Sequence, residues 1–191
     1  MRTLILSSLL LAACGSQPDF SEVREAQFLT IGDGYSGVIK YVKEPVIHAC
    51  LSGLSGSDIS TRQKDITSVV MAWIAPLREL TSLPLAESVD FVDNGCRISV
   101  SVNSSWPHTN IEDPPTVSVG YSGYTGSYNT LLHEFGHAFG LGDTYLTTSG
   151  HCKADQPQAV MCNTSFSVLQ EDDINGVRAV FQKTYPQEHP L

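Results

Sequence analysis

Residues 133–143 read His-Glu-Phe-Gly-His-Ala-Phe-Gly-Leu-Gly-Asp, and no other segment constrains the fold as tightly. Residues four apart on a helix are displaced by only about 40° and about 6 Å. His133 and His137 therefore share one helical face, and both imidazoles can reach a single ion. Zinc accepts imidazole nitrogen at about 2.0–2.1 Å. Glu134, the neighbour of His133, falls beside such an ion and not on it, where it can take a proton from a zinc-activated water. Gly140 lets the helix stop, because glycine tolerates positive φ without a Cβ clash. The chain then turns and returns Asp143 as a third ligand, with a fourth position open for water, as in catalytic sites. The blander alternative is a core helix with buried polar groups. A structural zinc would be closed by cysteines and would leave Glu134 without a task. His151 is the substitute third ligand, although its place next to Cys152 fits an exposed loop better.

The rest of the chain limits where such a site can work. Its 191 residues, 41% of them apolar and 16% charged, suit one folded domain. Eleven Lys and Arg against twenty Asp and Glu give a net charge of -9, which argues against a nucleic-acid partner. The only long apolar run, residues 4–13, is roughly half of what spans a bilayer as a helix, so a polytopic membrane protein is excluded. Arg2, the apolar residues 4–11 and the small residues before Cys14 have the layout of a signal peptide. Leu11-Ala12-Ala13-Cys14 resembles a bacterial lipobox, which implies acylation of Cys14. An ordinary signal peptide ending near a cysteine is the alternative. The expected organisation is a signal peptide over residues 1–13, a lipidated Cys14 and tether over 14–34, and a single domain over 35–191. In lipoproteins of this kind an Asp after the cysteine favours the inner membrane. Gly15 stands there instead, so the outer membrane or cell surface is expected, with the domain outside the cytoplasm.

Without Cys14, four cysteines remain: Cys50, Cys96, Cys152 and Cys162. Outside the cytoplasm an even set reads as disulfides, with three pairings open. Cys50–Cys96 and Cys152–Cys162 are favoured, the second closing a short loop. No C-x-x-C pair supports a cysteine metal site.

Residues 38–51 read as one strand or a bent pair broken at Pro45. Ser60-Thr61-Arg62-Gln63 fits a capping box, followed by an amphipathic helix through Ile66, Val69, Val70, Trp73 and Leu77 that ends or kinks at Pro76. Trp73 reads as core. Strands are expected at 89–92 and 97–102 with Asn94-Gly95 as the turn between them. Residues 103–115 read as a loop, 116–121 as an edge strand and 128–139 as a helix. A long irregular stretch, 141–168, precedes a last helix near 170–183 with Ile174, Val177, Val180 and Phe181 on its apolar face. The expected class is α+β, a mixed α/β sandwich.

The segment from His133 to Asp143 resembles the metzincin zinc metallopeptidases, whose signature is H-E-x-x-H-x-x-G-x-x-H/D, and its Asp form resembles the small secreted snapalysin-type enzymes. Val160-Met161-Cys162 is similar to the metzincin Met-turn beneath the metal, and residues 169–177 resemble the start of the C-terminal helix of matrixins. The likeness covers most of residues 38–183. It implies a zincin-like fold with a twisted mixed sheet, an active-site helix and a C-terminal helix. It also implies Zn2+ on His133, His137 and Asp143, Glu134 as general base and Met161 in the turn. The chain departs from the relatives in three ways. Residues 103–115 are short and offer only His108, so the extra structural zinc and calcium of matrixins are not expected. Asn163 stands where astacin-like and serralysin-like enzymes place a Tyr. A lipidated N-terminus has no amine for Asp172 or Asp173 to bind. The expected function is hydrolysis of peptide bonds in a protein or peptide substrate, by a monomer held to the membrane only through its lipid. The substrate is expected to add as a strand near residues 117–121. The alternative is a non-catalytic surface lipoprotein that binds through the same fold, against which the intact Glu134 argues.

Overall fold

A computed structural model of the protein describes residues 37–103, 106–120, 126–143, 152 and 158–188. The expected signal peptide, Cys14, the tether and His151 lie outside the described residues. Strands form where buried apolar side chains alternate, since successive residues face opposite sides of a sheet. Ile47 and Ala49 do this in β1 (Val46–Ser52), Val89 in β2 (Ser88–Phe91), and Ile98, Val100 and Val102 in β3 (Ile98–Val102). The short β4 (His108–Asn110) is polar, and β5 (Thr116–Val119) buries Val117 and Val119. Together they make one mixed sheet in the order β2-β1-β3-β5-β4, parallel except for β4 against β5. Three α-helices among the described residues complete an α+β fold, the expected class: α1 (Asp58–Ile74), α2 (Tyr128–Ala138) and α3 (Glu171–Thr184).

Several expectations need correction. Gly37–Tyr41 is a 3-10 turn and not a strand. Val38, Ile39 and Val42 are all fully buried, a spacing that belongs to a turn of helix, and the strand begins only after Pro45. Gly95 does turn the chain, at φ +71°, but β2 and β3 are not paired with each other. Strand β1 lies between them: Val92 N–H donates to the Ala49 carbonyl at 2.9 Å and Arg97 N–H to that of His48 at 2.7 Å. Helix α1 starts earlier than Ser60, with Ser57 in the capping position. The Ser60 hydroxyl donates to the Ser57 carbonyl at 3.1 Å and caps nothing. Residues 103–115 are not all loop, because β4 lies within them and takes the edge position. The expected edge strand β5 is therefore interior, paired on both sides, and Tyr121 falls outside the described residues.

Helix α1 ends at Ile74 and passes into a 3-10 turn at Ala75–Glu79, where Pro76 cannot continue the ladder. Trp73 is fully buried, as expected, and its indole N–H donates to the Leu132 carbonyl of α2 at 3.0 Å. From the same helix, buried Arg62 donates to the carbonyls of Gly120 and Gly126 at 3.4 and 2.8 Å, pinning both ends of the connection into α2. Cys50 is joined to Cys96 and Cys152 to Cys162, with Cα–Cα distances of 5.5 and 5.0 Å, the favoured pairing. No helix among the described residues is long and apolar enough to cross a membrane.

Helix α3 carries Glu171, Asp172 and Asp173 in its first turn, where the helix dipole favours negative charge. Asp172 is nevertheless pushed up to about 6, by burial and by the charges of Asp173 and Glu171. A carboxyl whose folded pKa exceeds its unfolded 3.8 costs stability when ionised. That cost is absent well below the unfolded value, grows as pH rises towards about 6, and is complete above it. Asp172→Asn should thus raise the melting temperature at pH 7 by about 2–4 °C, for a net gain of about 1 kcal/mol after the dipole offset. The gain should shrink as the pH is lowered from 7 to 4. An equal gain at both pH values in thermal melts would refute this assignment.

Candidate metal centre

Helix α2 begins at Ser127, whose hydroxyl oxygen accepts from the Thr130 N–H at 3.2 Å. One and a half turns later it presents His133, and a turn beyond that His137, with ring centroids 4.9 Å apart and planes at 88°. The helix ends in a Schellman arrangement. Gly140 adopts φ +97°, its N–H donates to the His137 carbonyl at 2.9 Å, and the Leu141 N–H reaches the Gly136 carbonyl at 3.0 Å. This reversal brings Asp143 back over the helix. Asp143 Oδ1 lies 3.3 Å from His133 Nε2 and 3.3 Å from His137 Nε2. The three ligand atoms all lie within 4.8 Å of one another.

The far side of each ring fixes its tautomer. His133 Nδ1 is 2.9 Å from the Val160 carbonyl, and His137 Nδ1 is 2.8 Å from that of Leu141. A carbonyl only accepts, so each Nδ1 carries the hydrogen and donates, and each Nε2 faces Asp143, where its lone pair can serve a metal ion. Two such nitrogens and a carboxylate facing one another need positive charge among them, as protons on the rings or as a metal ion. The donor set therefore fits one metal ion. With protons on the rings the histidines themselves supply that charge: burial alone would raise Asp143, but the two histidines outweigh it and hold its carboxyl well below the ordinary range. His137 is raised by Asp143 despite its burial.

Beneath α2, Met161 sits in the turn closed by Asn163 N–H donating to the Ala159 carbonyl at 3.1 Å. It is buried against Gly136, which lies between the two histidines in sequence, where a Cβ would stand 2.2 Å from its Sδ. Any side chain at Gly136 would have to displace the Met161 thioether. The turn is held to α3 by Asp173, which accepts from Val160 N–H at 2.8 Å, Met161 N–H at 3.3 Å and Gln170 N–H at 2.8 Å.

Glu134 is buried, which pushes its carboxyl up, while the two histidines and a hydrogen bond from Thr109 draw it back. It opens on a cleft of about 410 Å³, walled by Trp106, Thr109 and Ile111 on one side and by His133, Glu134 and His137 on the other. Every histidine and carboxylate expected in the site is thus found in one place, apart from His151, which lies outside the described residues. The sequence reading missed the β4 wall. Its signal is three polar residues in a Pro- and Asn-rich stretch, too short for any periodicity to register. Asn163 lies just past Met161, with its side-chain oxygen accepting from Ser165 N–H at 3.0 Å, and so shapes the backbone there.

The sequence matches no known family profile. It matches no curated protein either. In fold it is similar to the solved structure of myroilysin, with a TM-score of 0.42 and 16% identity, covering 75% of this chain and 97% of that one. At that depth the likeness decides nothing about chemistry, which the residues themselves must carry.

Proposed function

We propose that the protein is a zinc-dependent endopeptidase, exported and lipid-anchored through Cys14. The observation that carries this reading is the triangle of two Nε2 atoms and one carboxylate oxygen with Glu134 beside it. Donors each about 2.0–2.1 Å from a tetrahedral zinc lie about 3.3 Å apart, which matches both His–Asp separations. A zinc ion held there supplies Lewis acidity, acidifying water and polarising the scissile carbonyl. His133 and His137 would hold it as neutral imidazoles, oriented from behind by the Val160 and Leu141 carbonyls. Asp143 would add a negative charge to the ligand set, so that the ion would acidify water somewhat less than with three histidines. Glu134 removes the proton of the attacking water and returns it to the leaving amine. The substrate backbone pairs with the outer edge of β4, which has no further strand beside it among the described residues, in place of the interior strand expected from the sequence.

The test is peptide-library cleavage by the purified protein with and without chelator, together with metal analysis. Chelator-sensitive cleavage and one zinc per chain are expected. No chelator-sensitive cleavage of any peptide would favour the binding-module alternative. Asp143→Ala should lower zinc affinity by at least about 100-fold, more than loss of a group that merely supports a ligand. One zinc retained per chain with unchanged affinity would show that Asp143 is not the third ligand.

A further inference from the structure

The Thr109 hydroxyl lies 3.0 Å from Glu134 Oε2 and 2.8 Å from the Glu134 main-chain carbonyl. It has one hydrogen for these two acceptors. The carbonyl sits inside α2, where the helical ladder already supplies it with a donor. The carboxylate is buried; as the base of the peptidase reading it is ionised, and a hydrogen bond to an ionised acceptor is roughly twice as strong as a neutral one. The hydroxyl is therefore better used on Oε2. Thr109 is the middle residue of β4, set opposite Val117 of β5, so its own position is fixed by the sheet.

We propose that Thr109 is a positioning residue for Glu134. It holds one carboxylate oxygen from the edge strand and leaves Oε1 as the oxygen that takes the water's proton. This rests on the peptidase reading above. A glutamate has three rotatable bonds, and the helix excludes only χ1 near +60°, which leaves the carboxylate several positions. A reacting group displaced by about 1 Å loses on the order of 100-fold in rate. The strand that would receive the substrate backbone would thus also set the base.

The experiment compares Thr109→Val, which keeps the β-branched shape but removes the hydroxyl, with Thr109→Ser, which keeps the hydroxyl. Crystal structures of the zinc-loaded parent and the Val variant report the carboxylate position, and steady-state kinetics are measured on one cleaved peptide. In the Val variant the Glu134 carboxylate should leave its parental rotamer. Its kcat should fall about 10- to 100-fold with KM within about twofold, zinc content and Tm holding. The Ser variant should recover kcat to within about threefold of the parent. A carboxylate unmoved in the Val variant overturns the proposal, and so does an unmoved kcat in an active parent. A parent with no chelator-sensitive cleavage overturns the peptidase reading instead, and the carboxylate position then decides the role of Thr109 by itself.

Discussion

Glu134→Gln protein is expected to bind zinc as tightly as the parent and to lose peptide hydrolysis by about 100- to 10,000-fold, the range assigned to a positioned general base. The substitution keeps the shape of the side chain and an oxygen for the Thr109 hydroxyl to reach. It leaves untouched His133, His137, Asp143 and the carbonyls of Val160 and Leu141 that orient the two rings. Only the ability to take up a proton is removed. Zinc content and affinity, measured beside progress curves on the same preparation, separate the two effects. If the Gln variant kept more than about a tenth of the parental rate, the proton would be going elsewhere and Glu134 would not be the base. If zinc binding fell with activity, Glu134 would belong to the ligand set, which its place beside the donor triangle argues against.

The part of this site that could be read from the sequence is the part that depends on local geometry. His133, Glu134 and His137 are related by one helical turn, and Gly140 and Asp143 by a turn that glycine makes cheap, so spacing alone determines their arrangement. The Cys152–Cys162 pair was legible for a similar reason, since its cysteines lie only ten positions apart. The sheet order was not. Asn94-Gly95 does turn the chain, but a turn says nothing about whether a third strand enters between the two it joins. Here β1 does, held by Cys50–Cys96 and by the hydrogen bonds from Val92 and Arg97. The same limit hid β4: His108, Thr109 and Asn110 have no apolar alternation, and only pairing with β5 makes them a strand. The edge of the sheet was consequently assigned to β5, and with it the substrate strand. Thr109 could not be found until its partner on α2 was in place, because the two are far apart in sequence and their residue types form no motif.

Asp173→Ala is expected to be the most damaging single change outside the cleft, costing about 3–5 kcal/mol. Asp173 is buried, at 1% exposure, and its two oxygens accept from three backbone N–H groups. Alanine would leave those donors without their acceptor in a place that water does not easily reach, and each orphaned donor costs about 1–3 kcal/mol. At about 2–4 °C per kcal/mol for a domain of this size, the melting temperature should fall by about 10 °C or more. The effect should also reach the metal. Val160 gives its N–H to Asp173 and its carbonyl to His133 Nδ1, so one peptide residue links the helix α3 carboxylate to the ring that faces Asp143. Met161, next along the chain, fills the space left by Gly136 under the same helix. Loosening this turn frees the His133 ring to rotate, and zinc affinity should drop about 10- to 100-fold, the usual effect of removing a group that supports a ligand. Asp173→Asn keeps one acceptor oxygen and should fall between Ala and the parent in both measurements. Thermal melts and zinc titrations on the three proteins decide the matter. If Asp173→Ala melted within about 2 °C of the parent, the Asp173 clamp would not be holding the turn. If it melted far lower but bound zinc with parental affinity, Asp173 would stabilise the fold without orienting His133.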